Sequence, residues 1–169
     1  MNEDLLPIII SSAAFVISLI TFFMVRGRRN EPAPPTDNFS SKPLQLQAYE
    51  RITLLAERIA IPSIVSRASQ QSNLSARDMQ LLLLESIKQE YEYNASQQIY
   101  VTPVAWEAVK NLKDQNMLII NQVAATIPPD GRGIDLNKRL MEFIMMQPKG
   151  QLHTIVLEAL NFEAKKLMR

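Results

Sequence analysis

Two carboxylates alternate with two tyrosines in "EYEY", residues 90–93, within the longer stretch "QEYEYNASQQIYVTP". Acids this close together are raw material for proton transfer, because a carboxyl held in an apolar site takes a raised pKa and can serve as general acid or base. The stretch also contains Asn94-Ala95-Ser96, the triplet of an N-linked sugar acceptor. On a helix advancing ~100° per residue the two acids separate. Glu90 continues the face of Met79, Leu82, Leu83, Ser86 and Ile87, whereas Glu92 points away with Glu85 and Lys88. Below the leucines that face turns polar, through Glu90, Tyr93, Asn94 and Gln97.

Two other helical faces carry the same irregularity. Asn116 falls among Val104, Ala108, Leu112, Ile119 and Val123, and Glu163 among Leu152, Val156, Ala159 and Leu167. Together, Glu90, Tyr93, Asn94, Gln97, Asn116 and Glu163 form a candidate polar cluster inside a helical bundle. Buried polar groups that bond one another can fix helix register, which is the structural reading. A ligand pocket or active site around Glu90 and Asn116 is the alternative. No phosphate-binding loop accompanies them, since "PDGRG" lacks the Lys-Ser/Thr of a P-loop. The absence of cysteine and a single histidine, His153, leave no metal centre to expect and point to no cofactor. Trp106, Met117 and Ala124 line up beside the main apolar face of their helix, either as a second packing surface or as a stripe for a partner.

The elements that hold these residues read as helices. The chain has 169 residues, 47% hydrophobic, with only 4 glycines and a net charge of +1. That composition favours helix, supplies a core and argues against a nucleic-acid surface. The spacing predicts helices over about 44–60, 76–98, 103–127, 135–147 and 151–167. Pro62 ends or kinks the first, and Ile64, Val65 and Ala68 add a short turn. Ser75 and Asp78 resemble a capping box, Thr102-Pro103 is a cap with proline at the first helical position, and Asp135 caps the fourth helix. Short connections at 99–102 and 148–150 predict antiparallel neighbours. The expected fold is all-α, an up-and-down antiparallel bundle of about five helices over residues 44–169.

Ahead of the bundle lies a different kind of segment. Leu5 to Val25, "LLPIIISSAAFVISLITFFMV", is free of charge. As a helix it reaches ~31 Å, enough for a bilayer core of ~30 Å. Residues 1–25 therefore read as a transmembrane anchor, with the lipid bilayer as partner of residues 5–25. Arg26, Arg28 and Arg29 flank the span, and Glu3 and Asp4 precede it. The positive-inside rule then places the N-terminus outside and the C-terminal domain in the cytoplasm. There the sugar triplet has no meaning. Residues 26–43, "RGRRNEPAPPTDNFSSKP", are a proline-rich basic linker reaching ~56 Å as polyproline and ~23 Å as a coil.

The run "QEYEYNASQQIYVTPVAWEAVKNLKDQNMLIINQVA", with "LQAYERITLLAERIAIPSIV" before it and "EAKKLM" near the end, resembles a family of uncharacterised bacterial proteins. The resemblance implies one N-terminal span, a linker and a cytoplasmic helical domain in the bacterial inner membrane. It supplies no site residues. Anchor, tether and bundle without a catalytic set lean away from an enzyme. They point to a membrane-tethered interaction module, an adaptor or assembly factor that binds a protein partner or itself.

Overall fold

The structure is a computed structural model describing Ala14 and residues 17–24, 41–71, 73–146 and 152–169. It divides into two units, one up to Ser40 and one from Ser41. In the first, residues 17–24 are helical, and Thr21 donates its hydroxyl to the Ile17 and Ser18 carbonyls at 2.9 Å. Among the described residues no helix is long and apolar enough to cross a membrane. Most of the expected span, Leu5–Val25, lies outside those residues, as do the flanking Arg26, Arg28 and Arg29 and the linker up to Ser40.

The second unit consists of α1 (Lys42–Ile59), α2 (Ile61–Ala68), α3 (Ala76–Tyr93), a 3-10 turn (Ala95–Ile99), α4 (Pro103–Ala124), α5 (Gly133–Met146) and α6 (Leu152–Leu167). The described residues contain no strand, only one isolated bridge between Ser75 and Arg132. Side-chain partners fix the helix directions. Arg51 meets Tyr93 and Arg58 meets Glu90, so α1 and α3 run antiparallel. Gln80 bonds Asn121 and Tyr91 stacks on Trp106, so α3 and α4 do too. Tyr49 reaches Glu163 and His153 reaches Glu57, setting α6 antiparallel to α1. The outcome is an up-and-down set of four helices, α1, α3, α4 and α6, with α2 and α5 packed alongside. The connection 147–151 does not make α5 and α6 the expected neighbours; α6 packs on α1 and α4, and α5 on α2, α3 and α4. Ile52, Leu55, Leu83, Ile87, Leu112, Ile120, Leu136, Leu140 and Leu160 fill the core.

Proline starts helices here more than it ends them. Pro43, expected at the end of the linker, occupies the first turn of α1, where its missing N–H removes no bond. Pro62 plays the same part in α2, a helix of 8 residues rather than a stray turn. The bend between α1 and α2 falls at Ala60, which takes φ −56° and ψ 136°. Ser75 caps α3 by accepting the Asp78 N–H at 3.1 Å, and Thr102 caps α4 by accepting the Ala105 N–H at 3.1 Å.

Four sequence expectations are corrected. First, α3 stops at Tyr93 instead of running to 98, because Asn94 turns its amide back onto the Glu90 carbonyl at 2.8 Å and ends the ladder. Second, α4 buries Ala105 and Val109, leaving Val104 exposed and Ala108 half-buried, so its inward face is rotated by one residue at that end. Third, α6 buries Val156 and Leu160, while Ala159 faces outward. Fourth, Asp135 lies in the first turn of α5 rather than at its cap, and pairs with Arg132 Nη2 at 2.9 Å. That guanidinium holds the Asp135 carboxyl below its ordinary value.

Candidate functional site

The six polar residues singled out by periodicity do not meet in one cluster. They divide among three places along α1.

The first place is a groove between α1 and α3 of about 580 Å³, lined by Arg51, Leu54, Leu55, Arg58, Glu90 and Tyr93 among others. Glu90 Oε1 accepts from Arg58 Nε at 2.8 Å and Nη2 at 2.5 Å, which raises the Arg58 pKa further. Tyr93 is 74% exposed, not buried as expected, because α3 ends under it and its ring carries the Arg51 guanidinium 5.4 Å from the centroid. Asn94 is buried and committed to the Glu90 carbonyl. Gln97 lies past the end of α3 in the 3-10 turn, half-buried, bonding Ser96 at 3.3 Å.

The second place is the C-terminal end of α1. Pro62 has no N–H to offer the Arg58 carbonyl, and the bend at Ala60 takes the chain off the helical path that would satisfy the Ile59 carbonyl. Side chains from two other helices supply the donors. Arg67 of α2 donates Nη2 to Arg58 O at 2.9 Å, and Asn116 of α4 donates Nδ2 to Ile59 O at 2.9 Å. Asn116 is therefore buried as a helix cap in trans, with its amide spent on backbone.

The third place joins α1, the start of α4, and α6. Glu163 Oε2 accepts the Tyr49 hydroxyl at 2.5 Å and the Thr102 hydroxyl at 2.6 Å. The Tyr49 oxygen in turn accepts the Thr102 N–H at 3.2 Å. A carboxylate at the N-terminal end of α4 also complements that helix's macrodipole. Burial, and secondarily the bond to Glu163, raise the Tyr49 phenol above its ordinary value. Sequence periodicity missed Tyr49; the signal was its place beside Ala48 and Ile52 on the buried face.

The knot predicts a measurable cost. Tyr49→Phe removes one donor and leaves the Thr102 N–H without its acceptor, so unfolding should cost about 1–2 kcal/mol less. A raised folded pKa contributes stability that is intact below pH 10.0 and lost as pH rises through the folded value. The wild-type melting temperature should therefore drop above pH 10.0, and Tyr49→Phe should flatten part of that drop. Tyr91, also raised by burial, keeps the remainder. Equal alkaline profiles for the two proteins would contradict this assignment.

Trp106, Met117 and Ala124 are half-buried and packed against the domain's own core. Trp106 lies against Tyr91 with ring centroids 5.1 Å apart, and Lys113 Nζ sits 4.7 Å over the same tyrosine. Asn137 of α5 is a buried polar residue that periodicity did not single out; its Oδ1 has no hydrogen-bond partner, beside a hollow of about 210 Å³ lined by Val65, Met79, Ile134 and Met141. Among the described residues no three His, Cys, Asp or Glu side chains converge to hold a metal.

The described residues thus define an all-α protein whose internal polar groups join helices to one another. The chain belongs to a family of unknown function, DUF7935, whose model matches residues 3–167. No curated protein and no solved structure matches the chain.

Proposed function

We propose that this protein is a membrane-tethered interaction module, anchored through residues 5–25 in the cytoplasmic membrane. Its N-terminus lies outside and its helical domain in the cytoplasm, where it binds a protein partner or a second copy of itself. The observation that carries the module reading is where the polar chemistry has gone. Asn94 and Asn116 cap helix ends, Glu163 ties three elements together, and Glu90 is paired with Arg58. Large apolar side chains, Phe162 and Ile155 among them, meanwhile stay on the surface, as expected of a domain whose work is contact. The anchor is supported by Ile20, Phe22, Phe23 and Met24, which share one helical stretch yet are all exposed, a pattern suited to lipid.

The experiment uses the full chain in its native membrane. Crosslinking followed by mild detergent should recover a reproducible partner or a homo-oligomer, and recovery of monomer alone would remove the reading. Fractionation checks the anchor: the full chain should sediment with membranes and resist a high-salt wash, and a chain lacking residues 1–25 should move to the soluble fraction.

A second reading gives the α1/α3 groove a small anionic ligand. It is favoured by Arg51 at the groove beside the exposed Tyr93 ring, Arg58 being already paired with Glu90.

A further inference from the structure

The outer flank of α6 carries a pattern that the fold does not use. Leu152, Ile155, Ala159, Phe162 and Lys166 follow one another at intervals of three and four, the a and d spacing of a coiled-coil seam. This is not the face that packs inward, which is built on Val156 and Leu160. Ala159 and Lys166 are exposed, Ile155 is 54% exposed, and Phe162 is 72% exposed, a large aromatic left in water. Beside the stripe stand Glu158 and Lys165, both exposed and at successive g positions of the same repeat.

We propose that a second copy of this chain covers this flank, with the two α6 helices packed antiparallel. The occupant follows from charge complementarity. In an antiparallel pair the g positions face each other, so Glu158 of one copy meets Lys165 of the other, twice by symmetry. The same register sets Ala159 against Phe162 of the second copy, small against large, again twice. Ile155 then meets the aliphatic stem of Lys166, whose ammonium reaches water. A parallel pairing would instead place Lys166 on Lys166 and Glu158 near Glu163, like charges in both cases. On the other side of the stripe the e positions, Val156 and Glu163, belong to the domain's own packing and add no charged pair across the seam.

A helix of 16 residues is ~24 Å long, and its flank alone gives an interface at or below the small end of stable complexes, ~1,200 Å². The pairing therefore rests on the tethered-module reading, in which a shared membrane raises the local concentration of one copy around another.

The chain contains no cysteine, so a single introduced thiol reports without background. With a short bis-maleimide in native membranes, full-length Ala159→Cys should form a homodimer. Gln115→Cys, at an exposed position of α4, should not. Adding Phe162→Glu to Ala159→Cys should cut the dimer yield about tenfold. Adding Lys165→Glu should cut it about threefold, and the charge-swapped pair Glu158→Lys/Lys165→Glu should restore it, which separates pairing from misfolding. Equal dimer from the two cysteine positions, or no rescue by the swap, would overturn the inference. If Ala159→Cys gives no dimer while general crosslinking still captures another protein, this surface is wrong and the module reading stands. If nothing is captured by either route, both fall.

Discussion

Asn116→Leu should destabilise the domain by about 2 kcal/mol, although it replaces a buried amide with a well-sized apolar side chain. Position 116 lies among Leu112, Ile119 and Ile120 on the buried face of α4, so hydrophobicity alone predicts a gain. The Ile59 carbonyl reverses the sign. It has lost its intrahelical donor at the bend and receives the Asn116 amide at 2.9 Å in a buried site. Removing that donor leaves the carbonyl dry and unpaired, at a cost of about 1–3 kcal/mol that exceeds the apolar gain. In a domain of this size the melting temperature should fall by about 6–10 °C. Glu90→Gln supplies the comparison, because Arg58 is about half exposed and such a pair contributes only about 0–1 kcal/mol. An Asn116→Leu protein that melts with the wild type, or above Glu90→Gln, would refute the capping role.

Gly133→Ala should be the other large loss, again against the naive expectation. Gly133 is the first residue of α5, and alanine is the better helix former. The space around it decides otherwise. A methyl group there would stand 2.9 Å from the Leu74 carbonyl oxygen and 2.9 Å from Met79 Cβ. The Gly133 N–H donates to that same carbonyl at 2.8 Å, while the Ala76 N–H bonds the Gly131 carbonyl at 2.6 Å. Together these bonds stitch the loop before α3 to the loop before α5. Neither backbone can retreat without breaking them, so about 2–3 kcal/mol should be lost. Urea unfolding measures it, with a lower midpoint and an unchanged slope expected. A midpoint equal to or above that of the wild type would show that the loops can separate at no cost.

Both predictions concern features only half visible in the sequence. Helix existence was legible, because Ser75, Thr102 and the apolar spacing from Ile52 to Ile59 act through local chemistry. Asn116 stood out on its face for the same reason. Its partner did not, since a carbonyl orphaned 57 residues earlier leaves no periodic trace. Periodicity carried α3 through Tyr93 to Gln97 because the spacing continues; the backbone followed the Asn94 side chain instead. "PDGRG" was recognisable only as no P-loop, and its glycines gave no hint of the Leu74–Ala76 backbone lying against them. Of the residues assigned to one cluster, Asn94, Asn116 and Glu163 bond across or along helices, whereas Tyr93 is exposed and Gln97 lies past the end of α3. They were grouped wrongly, because a helical face records direction and says nothing about which neighbour lies there.

The bond between Tyr49 and Glu163 spans 114 residues and links the first helix of the domain to its last. During synthesis α1 leaves the ribosome first and must wait for nearly the whole domain before its final neighbour exists. Until residue 163 emerges, Tyr49 and the flank of α1 that α6 covers stay open. The domain thus completes itself only once its last helix has emerged, and until then the nascent chain carries its first helix with one flank uncovered.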